Sequence, residues 1–137
     1  MSIKRFLGLD VGEVRIGVAA GDNDVKIAFP LAVIENDETA ISKIAEIADA
    51  ERAELLVIGL PRNARGEETA QSAFSRTFAD KLKHSGLKTV FQDESLTSIL
   101  AEDRLNAKKT KKLPQKGDID KEAATIILQD YLERTNI

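Results

Sequence analysis

The apolar positions of this chain change their rhythm after the first third. From Phe6 to Ile34 they come in short runs separated by turn residues. Phe6, Leu7 and Leu9 lead to Asp10; Gly12 and Glu13 turn the chain; Val14 to Ala19 return; Gly21 to Asp24 turn it again. Short apolar runs bounded by residues that tolerate positive φ read as strands. The first third is therefore expected to be an antiparallel three-strand meander. Its third strand is expected over Val25 to Ile34, with Pro30 marking an edge or a bulge, because proline cannot donate to a ladder.

Helical spacing then takes over. Asn36 and Asp37 suit a helix N-terminus, and Ile41, Ile44, Ala45 and Ala48 share one stripe. Leu55 to Leu60 is a short apolar strand of the kind buried on both faces, and Pro61 to Gly66 is a loop. Ala70, Phe74, Phe78 and Leu82 recur every four residues, with Gly86 placed to end that helix. Lys88 to Gln92 is a further strand. Leu96, Ile99, Leu100 and Leu105 predict a third helix. After Pro114, Ile119, Ala123, Ile127 and Tyr131 predict a last one.

The order βββ-α-β-α-β-α-α predicts an α/β fold: a five-stranded mixed sheet, meander plus parallel strands, flanked by helices on both faces. No repeat or linker divides the chain, so residues 1–137 are expected to form one domain. Ligands of such sheets gather at the carboxyl ends of the parallel strands. Asp10, the Pro61–Gly66 loop and Glu94 fall on that rim.

Charge changes this picture only locally. The net charge of −3 argues mildly against a nucleic-acid partner. Yet Lys108, Lys109, Lys111, Lys112 and Lys116 crowd between acidic helices. Such a run is either a solvated loop or a phosphate-binding patch. Without cysteine, neither disulfides nor thiolate metal sites are open to the chain. The N-terminus shows no leader-like apolar core, and no apolar run is long enough to span a membrane, so a cytoplasmic location is expected.

Three places could carry chemistry. Asp10 ends an otherwise apolar strand, where it either caps the hairpin or faces a ligand. Gly8, Gly12 and Gly17 favour close approach by a ligand or another chain. Asp93 and Glu94 either suit the start of the next helix or face the rim. Asp118 and Asp120 cannot both cap the last helix, so one is spare. Taken together, three converging carboxylates repel one another unless cations are bound. A hard ion such as Mg²⁺ takes carboxylate and water oxygens, and two such ions support in-line displacement at a phosphodiester. The lysine run would then hold phosphates. His84 is explained by a helix C-terminus. No P-loop and no Ser/His/Asp set are present, and aromatics are too few for base-stacking platforms.

Four segments in order resemble the YqgF (also called RuvX) family of pre-16S rRNA nucleases, which have an RNase H-like fold. They are Leu9 to Ala19, Val57 to Gly66, Asp93 to Thr97, and Lys116 to Ala124 continued by Ile127 to Leu132. The resemblance covers nearly the whole chain. It implies that Asp10, Glu94 and Asp120 are catalytic, metal-binding carboxylates for Mg²⁺ or Mn²⁺, choosing Asp120 over Asp118. It also implies roles near substrate for Arg15, Asn63 and Lys116, and Gly12, Lys108, Lys109, Lys111 and Lys112 complete the expected substrate-binding set. Ser95 departs from the arginine the family usually carries there.

The leading expectation is a metal-dependent nuclease that trims the 5′ side of pre-16S rRNA, a monomer or weak dimer working near the ribosome or the transcription machinery. A Holliday-junction resolvase would share fold and acids but need two symmetric sites, hence a dimer. An actin-like ATPase would need a second domain for which 137 residues leave no room. A non-catalytic nucleic-acid-binding regulator is the remaining alternative.

Overall fold

The computed structural model describes residues 3–95 and 116–134. Its strands are β1 (Arg5–Val11), β2 (Arg15–Asp22), β3 (Phe29–Glu35), β4 (Ala53–Arg62) and β5 (Thr89–Ser95). The helices are α1 (Ala40–Glu51), α2 (Ala70–His84) and α3 (Lys116–Glu133). The helix expected through Leu96 to Leu105 lies outside the described residues, as do Lys108, Lys109, Lys111 and Lys112.

The five strands run in the order β3-β2-β1-β4-β5. β1, β2 and β3 are antiparallel neighbours, whereas β4 is parallel to both β1 and β5. This is the expected meander extended by parallel strands. β1 sits in the middle and is flanked on both edges, which is why its apolar run is continuous. Leu7, Leu9 and Val11 point to one face, where they pack with Ile44 and Ala48 of α1 and Phe78 and Leu82 of α2. On the other face, Phe6 and Val57 pack with Ala123, Ala124, Ile127, Leu128 and Leu132 of α3. The alternation of a strand sorts the two cores.

Two glycines let α3 lie close to the sheet. A Cβ on Gly8 would meet the Cβ of Leu128 at 2.6 Å and the carbonyl oxygen of Ala124 at 2.9 Å. A Cβ on Gly59 would meet Cδ1 of Ile127 at 2.4 Å. The α2 C-terminus follows the glycine-ended pattern expected of Gly86. Gly86 has φ +88°, its N–H donates to the Lys83 carbonyl at 2.9 Å, and the Leu87 N–H donates to the Leu82 carbonyl at 3.1 Å.

Two of these boundaries differ from the sequence expectation. β3 begins at Phe29, four residues later than predicted. Lys26 adopts φ 60°, and Gln129 of α3 takes over the local backbone: its Nε2 donates to the Lys26 carbonyl (3.0 Å) and its Oε1 accepts from the Ala28 N–H (2.8 Å). Pro30 does sit on an edge strand, beside a register shift between Val18 and Ala19. The N-terminal cap of α1 is Thr39, whose N–H and hydroxyl both donate to Asp37 Oδ1 (2.8 and 2.5 Å). No helix among the described residues is long and apolar enough to cross a membrane.

Candidate active site

Asp10 lies inside β1, opposite Gly17 of β2, and is half-buried. By alternation it shares the α3 face with Phe6 and Gly8. β5 runs longer than the apolar pattern suggested, so Glu94 stands within the strand, in register with Pro61. The Asp93–Glu94 pair therefore does not open a helix. Glu94 shares its face with Val90, which packs against α3, and is only 6% exposed.

β4 separates the two acids. Continuing the β1–β4 register from Leu9 opposite Ile58 sets Asp10 level with Gly59, which pairs with Gln92. Glu94 is two residues further on. Strand spacing and rise put their Cα atoms about 12 Å apart. Gly59 between them carries no side chain, and Ile127 of α3 packs directly over it.

α3 crosses above them. Leu132 lies near Gly21, Leu128 near Gly8, and Ala124 nearer still to the helix start, so the helix runs opposite to β1. Asp120 stands one turn before Ala124, in the helix end nearest the Asp10 level; its backbone is helical, and its side chain lies outside the described set, as does that of Lys116. Among the described residues no three acidic or histidine side chains group closely enough to hold a metal ion. Two corners of the expected site are thus in view, with the helix that carries the third.

Glu94 is electrostatically unusual. Burial pushes its carboxyl up to about 9, with contact to the Asp130 carboxyl and then the charge of Asp93 adding to the effect. Its Oε1 is buried with no hydrogen-bond partner among the described residues. Asp130 was not among the residues singled out from the sequence. The signal for it is that it follows Ala123 by seven residues, so an acid occupies a position on the apolar stripe of α3.

The surrounding loop is braced rather than open. Arg62 Nε donates to Asp93 Oδ1 at 3.1 Å and its Nη1 to the Gly66 carbonyl at 3.1 Å. Arg76 pairs with Glu68 through two bonds of 2.7 and 2.8 Å and stacks over Phe91. Asn63 turns into this loop: its Oδ1 accepts from the N–H groups of Arg65 (2.9 Å) and Glu67 (3.0 Å). That amide shapes the loop on which the family resemblance implies a role near substrate. Gly12 closes the hairpin, its N–H donating to the Arg15 carbonyl at 2.9 Å, and Arg15 opens β2 opposite Glu35. His84 contacts the Asp80 carbonyl at 2.7 Å, in keeping with a helix-end role. A separate open cleft, lined by Glu13, Asp37, Phe74 and Lys81 among others, lies on the α2 side of the sheet, away from the acids.

Comparisons with known proteins bear on the family and the fold. A family model described as "RuvX: Holliday junction resolvase" matches residues 4–134. A protein of Sulfurihydrogenibium sp. is 41% identical over 96% of this chain and 92% of its own length, and one of Chloroflexus aurantiacus is 42% identical over 97% and 89%. Both carry the name "Putative pre-16S rRNA nuclease". Among solved structures, T. thermophilus RuvC in complex with Holliday junction substrate superposes with a TM-score of 0.53 at 13% identity, covering 94% of this chain and 93% of that one. The Fowlpox virus resolvase in its junction complex gives 0.50 at 14% identity, covering 94% and 97%. Those two share the fold. The sequence match along nearly the whole chain goes further: the protein belongs to the RuvX family and is a nuclease with an RNase H-like fold.

Proposed function

We propose that this nuclease uses Asp10, Glu94 and Asp120 to hold Mg²⁺ or Mn²⁺ and cleaves phosphodiester bonds on the 5′ side of pre-16S rRNA. The observation that carries the metal reading is Glu94. Its Oε1 is buried with no donor among the described residues, where the polar groups acting on it are the acids Asp130 and Asp93. Buried acceptors left without a donor are rare and call for an explanation. Carboxylate oxygens of this kind suit a hard divalent cation. When bound, such ions activate a water and stabilise the leaving oxygen of the scissile phosphate.

The chain's own residues would do the rest. Asp10 and Glu94 stand on strands on either side of β4, and the backbone of Asp120 lies in α3. Arg15 and the lysines at 108, 109, 111, 112 and 116 are proposed to hold flanking phosphates, which give affinity and register but no sequence choice. Ribosomal RNA as substrate would place the work in the cytoplasm, beside the assembling ribosome. The named relatives favour RNA over a four-way junction, and the family description favours the junction.

One assay separates the two. A labelled 5′-flanked 16S fragment and a four-way DNA junction are incubated in the same Mn²⁺ buffer with native protein, Asp10→Asn and Asp120→Asn. Cleavage of the RNA alone is expected, falling by roughly a hundredfold or more in either variant. Equal cleavage by Asp10→Asn would remove the proposed mechanism. Preferential cutting of the junction would replace the proposed substrate.

A further inference from the structure

The ends of β1 and β4 part just where the acids sit, and the sheet cannot hold them there. The β1–β4 ladder runs to Leu9 opposite Ile58. One rung further, the Val11 carbonyl would need the N–H of residue 61 in the parallel pattern. Residue 61 is proline, which has none. Past Val11 the chain turns back at Gly12, so β1 likewise provides no N–H for the Pro61 carbonyl. Two backbone acceptors, one beside Asp10 and one level with Glu94, lack sheet partners.

The first turn of α2 supplies both. Nε2 of Gln71 donates to the Val11 carbonyl at 2.8 Å. The hydroxyl of Ser72, fully buried, donates to the Pro61 carbonyl while accepting from the Thr69 N–H at 2.9 Å. Pro61 pairs in register with Glu94. From the far side, Asn36 Nδ2 donates to the Gly12 carbonyl at 2.8 Å, closing the grip on the turn after Asp10. None of these three side chains approaches from the α3 face that Asp10 and Glu94 share.

We propose that Gln71 and Ser72 are positioning residues that fix the spacing of Asp10 and Glu94. The proposal rests on the reading that these two acids hold the metal. Adjacent residues of one helical turn tie the two diverging strands to a single rigid body, so the carboxylates move together or not at all. Productive metal geometry tolerates only about 0.5 Å of drift, and an unpaired strand end would exceed that.

The test uses the full chain, with Gln71→Met, Ser72→Ala, Gln71→His and, as a reference, Asp10→Asn. Readouts are kcat and KM on the 5′-flanked 16S fragment, Mn²⁺ affinity by calorimetry without RNA, and the melting temperature. Gln71→Met and Ser72→Ala are each expected to lower kcat and Mn²⁺ affinity by about tenfold or more, as loss of an outer hydrogen bond around a metal site does, with KM almost unchanged. Gln71→His, neutral at about pH 8 and carrying an Nε2–H of similar reach, is expected to restore most of the loss. Native-like kcat and Mn²⁺ affinity in both Gln71→Met and Ser72→Ala, alongside an inactive Asp10→Asn, would overturn the positioning role and leave the metal reading standing. A loss that follows the melting temperature and is not recovered by histidine would equally overturn it. An active Asp10→Asn would instead bring down the metal reading itself, and this inference with it.

Discussion

Glu94 is a carboxyl that the fold holds in its protonated form when no cation is present. Its ordinary value is 4.5, and burial followed by its acidic neighbours raises it to about 9. Between those values the folded protein carries one more proton than the unfolded chain. Stability from this group is therefore complete below about 4.5 and is lost as pH rises through about 9. The melting temperature of metal-free protein is expected to fall as pH climbs from about 5 to 9, and Glu94→Gln to flatten that slope. A series of calorimetric melts at stepped pH decides it; an unchanged slope in the variant would mean that another group is responsible. Cation binding must displace the same proton, so Mn²⁺ affinity is expected to rise with pH over this range. Asp93, next in sequence, faces the other way. It is exposed and paired with Arg62.

At the level of elements, the contact between α3 and the sheet sets where Asp120 can be. Gly8 and Gly59 both permit that contact but differ in what opposes them. A methyl on Gly8 meets backbone and a Cβ, neither of which can swing aside, whereas on Gly59 it meets only the outer atoms of Ile127. Gly8→Ala is expected to destabilise the protein by about 1–3 kcal/mol and to shift the helix, lowering activity as well. Gly59→Ala, which a rotamer change can absorb, should cost less. Urea denaturation and cleavage rates of the two variants check the order, and a reversal would show that α3 yields more readily than Ile127. The Gln129 bonds to Lys26 and Ala28 tie the same helix to the β2–β3 connection, so α3 is held at more than one point along its length.

For the whole molecule, a net charge of −3 has to be reconciled with a polyanionic substrate. The chain carries 20 Lys and Arg against 23 Asp and Glu, and Lys108, Lys109, Lys111 and Lys112 form the densest basic run. Each phosphate contact to a single strand contributes about 0.7 to the slope of log affinity against log salt. Replacing all four lysines by alanine is expected to lower that slope by up to about 3 and to weaken binding with little regard to sequence. Filter binding of the RNA fragment to the Asp10→Asn background, across a salt series, measures this; an unchanged slope would assign the run to plain solvation. Junction resolution would impose a further demand at this scale, because it needs two symmetric copies of the site.

Much of this architecture is legible in one dimension. The period of the apolar residues identified all five strands and the helices now seen as α1, α2 and α3, since both periodicities follow directly from backbone geometry. Asp10 stood out because a carboxylate ending an apolar strand has few structural reasons to be there, and Glu94 because it fell on the same rim of the sheet. Pairing across strands, by contrast, has no linear trace. Tertiary structure alone decided that Glu94 lies inside β5 and is buried, because the strand continues only while β4 offers partners for it. It also decided that Asp130 contacts Glu94, that Asn63 serves its own loop, and that Val25 to Ala28 leave the sheet to bond with Gln129, a residue about a hundred positions away. The roles of Gln71 and Ser72 belong to the same class. A proline at position 61 removes one N–H, and only the folded chain shows which side chains stand in the gap.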